Sequence, residues 1–405
     1  MPIELRPVST EEFDQLGLLT SYVYGGQHGD GAENTITATT RPEWTVCAFD
    51  GSRLVASYST IPFTMRANGT AVPMGGVSAV GTLPEYRRQG LVRRITTQAF
   101  GDMRERGQAV ASLWASQAAI YQRYGYSMVS VLRNYRVDTA DIGFYDGDAG
   151  SSTVERLDVA SGYDLAKQVY IAFIGDRMCY LHRARPLWLN NALDEDDAEG
   201  PIHIAVSRDA DGSPDGYAIY TLRTAKRDHA SRSQEIAIRD LAWLSPSAYR
   251  SLWSFIGRHD LVGSVRWDNA PSDDPAVEYF MEPRMLHTRD YEGFWLRVVD
   301  APAALAGRGW DADGELSLAI SEDTLAPWNA GTWRVTVSGG SAEVAPGGGN
   351  PDLSLSIKAL ALLYTGRRSA RELAAWGMVD GVTSALRRAD ALFATPHAPH
   401  CPDHF

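Results

Sequence analysis

Along the first part of the chain, apolar and polar positions alternate at strand period and then switch to helical period. Ile3 to Arg6 reads as a short strand, and Ser9-Thr10-Glu11-Glu12 after it is a capping box that opens a first helix. Trp44 to Phe49 and Leu54 to Ser59 flank Asp50-Gly51, while Phe63 to Arg66 and Val72 to Val80 flank Asn68-Gly69. Each dipeptide tolerates positive φ between β-prone runs, so two hairpins are predicted. Leu91, Ile95, Ala99 and Met103 then recur on one helical face, and Gly107 after Arg104 and Arg106 marks that helix's end. Gln108 to Ala115 reads as a buried strand, and Ala118 to Tyr124 as a short helix stopped by Gly125.

Further along, Asp-Gly turns at 146–147 and 211–212 bracket a helical stretch, and Tyr217 to Arg223 with Glu235 to Leu244 reads as two paired strands. Ser245-Pro246 starts a helix carrying Leu252, Phe255 and Ile256. From about Tyr291 a third pattern begins: strands at Phe294 to Val299, Gly314 to Ser321, Thr332 to Ser338 and Leu353 to Ile357. Helices at Ala301 to Ala306, Lys358 to Tyr364 and Val382 to Leu392 complete an α+β layer. Expected domains are 1–150, 151–290 and 291–405, in a mixed α+β and α/β chain.

Composition bounds what such a chain does. With 405 residues and 44% hydrophobic content it can bury a large core. No stretch of about eighteen apolar residues exists and Met1-Pro2-Ile3-Glu4 is no signal peptide, so a soluble cytoplasmic protein without a membrane partner is expected. Cys47, Cys179 and Cys401 are too few for a disulfide framework. A net charge of −12 argues against nucleic acid and favours cationic substrates, although solubility accounts for it equally.

The chemistry concentrates at residues 77–95, where an apolar run ends at Pro84, the basic turn Arg87-Arg88-Gln89-Gly90 comes next, and a helix begins at Leu91. A turn opening into a helix presents unpaired backbone N–H groups and the positive end of the helix dipole. Arginines beside them add full charge, and Gly90 permits close approach, which suits a pyrophosphate. Neither a Walker loop nor a dinucleotide fingerprint is present. The order of parts resembles the acetyl-CoA loop [RQ]-x-x-G-x-[GA] of the GNAT superfamily of N-acetyltransferases, with Val92 standing where a small residue is usual. Downstream, Tyr121-Gln122-Arg123-Tyr124-Gly125-Tyr126 matches the family segment Y-x-x-x-G-[FY].

That resemblance implies acetyl-CoA as donor, held by Val80, Thr82, Arg87, Arg88, Gln89, Gly90, Leu91, Val92 and Ser116, with Tyr121 as general acid. A phenol with pKa about 10 can supply the proton that a departing thiolate needs. The central segment repeats the strand-to-helix step without the arginine-glycine loop, as a degenerate second GNAT domain would, and the last segment resembles the sterol-carrier-protein-like fold. Three units in this order resemble the enhanced-intracellular-survival group of bacterial N-acetyltransferases, marked by Arg87 to Leu91, Ala115-Ser116, Ile120 to Tyr126, Trp295-Leu296-Arg297 with Pro302 to Leu305, and terminal Phe405.

The group resemblance implies that the chain end returns to the catalytic domain and that the Phe405 carboxylate assists amine deprotonation, by position more than basicity. It also implies a homo-oligomer, a hexamer, and a small-molecule amine acceptor, among them polyamine antibiotics. Tyr22, Tyr24, Trp44 and Phe63 are candidate acceptor walls, within or near a segment, Thr20 to Glu43, that also holds His28, Asp30 and Glu33. Gly25-Gly26 stands where group members that take polyamine antibiotics carry an acid, so an arylalkylamine or lysine-like amine is equally expected. His404 is a candidate proton relay. His397, His400, Cys401, Asp403 and His404 match no standard zinc spacing, and no metal is expected. A CoA-binding regulator without turnover and a lipid-binding scaffold on residues 291–405 remain alternatives.

Overall fold

A computed structural model describes residues 3–25, 40–225 and 231–405. It divides into two compact units: Met1–Val129 with Phe294–Thr395 and Phe405, and Ser130–Gly293 with Pro396–His404. In the first unit, β1 (Glu4–Arg6) leads through a capping box, Ser9 N–H donating to Glu12 Oε2 at 3.0 Å, into α1 (Phe13–Tyr24). Then come β2 (Cys47–Asp50), β3 (Arg53–Ala67), β4 (Thr70–Thr82), α2 (Leu91–Glu105), β5 (Val110–Leu113), α3 (Ala118–Gln122) and β6 (Ser127–Met128). The expected runs Leu54 to Ser59 and Phe63 to Arg66 are one strand, since β3 pairs β4 from Ala56 opposite Thr82 to Ala67 opposite Thr70. Pro62 falls opposite Gly75 and does not end it, because alternate N–H groups of a strand point away from a given neighbour.

Strand β4 is irregular in two places. Its register with β3 slips between Ser57 and Ser59, where Ala79 adopts φ +53°, a bulge held by Ser57 Oγ donating to the Ala79 carbonyl at 2.6 Å. Its parallel pairing with β5 runs only from Met74 opposite Val110 to Gly76 opposite Ser112. Beyond Gly76 the two strands have no ladder between them. The apolar face expected of α2 is present: Leu91, Ile95, Ala99 and Met103 are all buried against the sheet with Val77, Ala111 and Tyr126.

In the second unit, the elements in order are β7 (Val131–Val137), β8 (Thr153–Leu157), α4 (Val159–Phe173), β9 (Met178–Leu181), α5 (Arg185–Leu189), β10 (Ile202–Arg208), β11 (Pro214–Thr224), β12 (Gln234–Trp243), α6 (Pro246–Gly257), β13 (Val262–Pro271), α7 (Ala276–Tyr279) and β14 (Arg289–Glu292). Their sheet runs β14-β7-β13-β12-β11-β10-β8, with β12 and β13 parallel. Helix α6 starts as its sequence signals require, Ser245 Oγ accepting the Ala248 N–H at 3.0 Å with Pro246 in the first turn.

The remaining elements return to the first unit. The strand expected to open the third domain, β15 (Trp295–Val298), instead lies between β5 and β6, with Trp295 opposite both Leu113 and Met128. Its four residues are all buried, so no alternation of apolar and polar positions marks which sheet it joins. After α8 (Ala301–Gly307), a separate sheet β18-β17-β16-β19-β20 forms from β16 (Gly314–Ile320), β17 (Gly331–Ser338), β18 (Ser341–Pro346), β19 (Leu353–Leu355) and β20 (Val379–Gly381). Helices α9 (Ile357–Tyr364), α10 (Ala370–Ala375) and α11 (Thr383–Phe393) accompany it. Buried Arg297 on β15 donates to Asp323 Oδ2 at 2.5 Å, and Asn329 links Asp323 to the Val299 carbonyl. This polar cluster ties the last sheet to the first.

Candidate active site

A cavity of about 730 Å³ opens in the first unit where β4 and β5 part. The ends of α1 and β4 supply Tyr24, Val80, Gly81 and Thr82, and the turn before α2 supplies Arg87, Arg88 and Gly90. Two residues of that turn adopt positive φ, Arg88 at +63° and Gly90 at +76°. The amides of Leu91 and Val92 next to them begin a helix and have no intrahelical acceptor. Successive exposed amides with the helix dipole behind them make an anion cradle. A Cβ placed on Gly90 would meet nothing within 4 Å, so the backbone there faces open space. Arg87 Nε donates to the Thr82 carbonyl at 3.1 Å, which folds the turn back on the end of β4.

Of the residues expected at the donor, Val80, Thr82, Arg87, Arg88, Gly90, Leu91, Val92 and Ser116 line this cavity. Gln89 does not; its side-chain amide donates to the Glu85 carbonyl at 3.2 Å inside the turn. Arg93, Arg123, Tyr124, Thr324 and Leu325 line it and were not expected. Arg93 carried a usable signal, standing three residues after Gly90 at the mouth of the helix. Thr324 and Leu325 carried none, since only folding brings them here from 200 residues away.

Tyr121 lies on the same wall, at the end of α3, and is 5% exposed. Burial pushes its phenol above the usual range, and a hydrogen bond with Ser116 pulls it partly back. The phenol is therefore protonated throughout the neutral range. Its ring meets that of Tyr126 edge-on at 6.0 Å. Tyr24, expected at the acceptor, lines the same cavity, donates to the Val80 carbonyl at 2.8 Å, and is pushed up to about 12 by burial.

Other expected residues lie elsewhere. Phe405 is off the cavity lining; its ring packs on Phe63 at 4.7 Å and edge-on to Phe294 at 6.1 Å. Its main-chain oxygen accepts from Ser78 Oγ at 3.4 Å, just before the β4 bulge. The pair of rings stands over Gly76, where a Cβ would press into Phe63 and come within 2.8 Å of Phe405. Trp44 ends a short 3-10 turn beneath the Arg41 guanidinium, 5.1 Å away, and Tyr22 is 65% exposed on α1. His28, Asp30 and Glu33 lie outside the described residues.

The tail before Phe405 belongs to the second unit, and each of its chemically suggestive residues has protein partners. His404 exchanges main-chain hydrogen bonds with the Asn191 side chain, at 2.7 and 3.1 Å. Asp403 pairs with buried Arg183 at 2.7 Å, which also holds Asp240 at 2.5 Å. Burial pushes Asp403 up to about 6. His400 is buried beside Tyr180 and pushed down to about 4 by desolvation. His397 stands 3.5 Å from Asp273.

Comparisons with known proteins agree with this geometry. Residues 4–129 and 179–298 each match an acetyltransferase (GNAT) domain model, and 301–402 match a sterol carrier protein domain. The chain is 29% identical over 375 residues to an uncharacterized N-acetyltransferase of Streptomyces avermitilis, spanning 90% of this chain and 89% of that one. It is 26% identical over 355 residues to the N-acetyltransferase Eis of Mycobacterium tuberculosis, spanning 85% and 84%. Among solved structures, Eis1 from Mycobacterium abscessus aligns over the whole of both chains with a TM-score of 0.82 and 25% identity. A GCN5-related N-acetyltransferase from Anabaena variabilis, 24% identical, shares the fold over both full lengths with a TM-score of 0.86.

Proposed function

The chain is an Eis-like N-acetyltransferase of the GNAT superfamily, and from that premise we propose that it transfers acetyl from acetyl-CoA to a primary amine of a small molecule, with Tyr121 as general acid. The observation that carries this reading is a buried, protonated Tyr121 on the wall of a basic cavity formed where two parallel strands part. The cavity's residues suit the donor: the open amides at Gly90 to Val92 and the charges of Arg87 and Arg88 for the diphosphate, and the gap between β4 and β5 for the pantetheine arm. Arg93 and Arg123 add two further charges to the cavity lining.

In this mechanism the neutral amine attacks the thioester carbonyl carbon, a C–N bond forms, the C–S bond breaks as the thiolate takes the Tyr121 proton, and the proton shed by the acylated nitrogen passes through solvent to the tyrosinate and restores the phenol. Burial raises the proton affinity of the departing thiolate for the same reason that it raises that of the phenol, which keeps the transfer close to matched. The Phe405 carboxylate, beside Ser78 and the β4 bulge, orients the incoming ammonium and assists its deprotonation. The Phe63 and Phe405 rings favour an acceptor with an apolar body, such as an arylalkylamine; lysine-like and aminoglycoside-like amines share the same attacking group.

Free-thiol release from acetyl-CoA across a panel of such amines tests the activity. Tyr121→Phe should lower kcat by about a hundredfold or more while the Kd for acetyl-CoA stays within a factor of two, as for loss of a general acid. Unchanged turnover in that variant removes Tyr121 from the role.

A further inference from the structure

Around the chain end, the first unit carries more aromatic surface than the Phe63 and Phe405 pair. Phe405 packs on Phe63 at 4.7 Å and edge-on to Phe294 at 6.1 Å, and Phe294 in turn meets Trp114 edge-on at 5.7 Å between ring centres. Four rings from four separate segments of the chain thus form one continuous row. At one end, Ser78 Oγ donates to the Phe405 main-chain oxygen at 3.4 Å. At the other, Trp114 is the first residue beyond β5, whose ladder with β4 ends at Ser112, and Ser116 two residues later lines the donor cavity with Tyr121. The row therefore starts at the chain end and finishes within two residues of that cavity.

Its members divide by exposure. Phe294 is fully buried, so no substrate touches it, and its place edge-on to two rings makes it a spacer that fixes Trp114 relative to Phe405. Phe63, Phe405 and Trp114 are only partly buried and keep apolar ring surface at the site. Trp114 differs from what precedes it: all four residues of β5 are buried, and the run ends at the indole. Indole is the largest flat apolar side chain, and it gains most when another flat apolar group covers its face.

Such a row selects by charge as well as by shape. An arylalkylamine carries one ammonium, which the terminal carboxylate can hold, and an uncharged ring, which buries apolar area against the indole. An aliphatic diamine of similar length carries a second ammonium in place of the ring. None of the four side chains is acidic, so along the row that charge would lose hydration without a counter-ion, and attraction to the ring faces offsets only part of the loss.

We propose that Trp114 is the specificity-determining residue of the acceptor site, selecting an arylalkylamine over an aliphatic diamine by stacking on the ring of the substrate, and that Phe294 is the positioning residue behind it. The proposal rests on the acetyl-transfer reading above and deepens it. Thiol release from acetyl-CoA with 2-phenylethylamine and with pentane-1,5-diamine tests it in the full chain. The wild type should favour the aromatic amine by about tenfold or more in kcat/KM. Trp114→Leu, which keeps an apolar side chain and removes the flat face, should lower that ratio about tenfold, through a higher KM for the aromatic amine, as for loss of uniform binding. Trp114→Phe should hold the ratio within about threefold of wild type. A purely structural Trp114 would instead slow both amines alike. A wild-type preference for the diamine, which needs no variant to detect, or an unchanged ratio in Trp114→Leu would each overturn the proposal while leaving acetyl transfer intact. If neither amine releases thiol, the acetyl-transfer reading fails, and calorimetric titration with 2-phenylethylamine decides on Trp114: saturable binding that weakens about tenfold in Trp114→Leu supports the wall, and no binding or equal binding overturns it.

Discussion

At the scale of single residues, the site depends on groups whose importance is invisible in isolation. Gly76 is an ordinary small residue in a strand until its neighbours are known: a methyl group there would press into both Phe63 and Phe405. Gly76→Ala should therefore displace the ring pair and lower kcat/KM for the amine by about a hundredfold, since a misplacement of one ångström costs that order in rate. Acetyl-CoA affinity should not change, and steady-state kinetics with each substrate varied separates the two. His400 belongs to the same scale. Burial holds it neutral in the folded chain down to about pH 4, whereas unfolded histidine takes up a proton near 6.5. Its contribution is complete above pH 6.5 and is lost as pH falls toward 4, up to about 3 kcal/mol. Asp403 and Asp274, each pushed up to about 6 by burial, act in the opposite sense, gaining stability as pH falls from 6. The difference in urea stability between wild type and His400→Asn, measured from pH 8 to 4.5, isolates the histidine and should shrink on acidification.

At the scale of elements, the periodic signals were sound and their interruptions were not legible. The α2 face, the capping box at Ser9 and the Ser245 cap all arise from local spacing, because helix-period packing and cap chemistry are decided within a few residues. The β4 bulge does not. Ala79 has no sequence feature that announces φ +53°, yet that kink sits between Ser78, which meets Phe405, and Val80, which meets Tyr24. Ala79→Val places a β-branched side chain in the left-handed region and should cost roughly 1–3 kcal/mol. Ala79→Gly accepts the same backbone and should leave the urea midpoint and acetyl-CoA titration nearly unchanged. The same limit explains β3, where the runs Leu54 to Ser59 and Phe63 to Arg66, expected apart, are one strand paired through Pro62.

At the scale of the whole molecule, the chain is not laid out as three successive beads. Strand β15, from beyond residue 290, completes the sheet begun at residue 4, and β7 from before residue 150 pairs β13 in the other sheet. The last residue packs with the first unit after residues 396–404 have packed with the second. The position of that terminus gives a direct test of the Phe405 proposal: a short tag appended after Phe405 should lower turnover at least about tenfold, whereas the same tag before Met1 should not, because a displaced catalytic group loses its orientation advantage. Equal activity of the two tagged proteins would release the carboxylate from its role.

By itself, the sequence determined what depends on near neighbours in the chain: the cradle from Arg87 to Val92, the Tyr121 segment, the order of helices and strands, and the resemblance to acetyltransferases that these carry. Tertiary structure alone decided which strands share a sheet, that Arg123, Thr324 and Leu325 share the donor cavity, that Tyr24 faces it, and that Phe405 meets Phe63 over Gly76. The physical reason is one of range. Caps, turns and amphipathic faces are fixed by interactions a few residues apart, whereas a strand such as β15 is buried on both faces and shows no alternation that would say which sheet edge it takes. Which edge it takes, and so which side chains border the cavity, depends on long-range pairings that a linear pattern does not record.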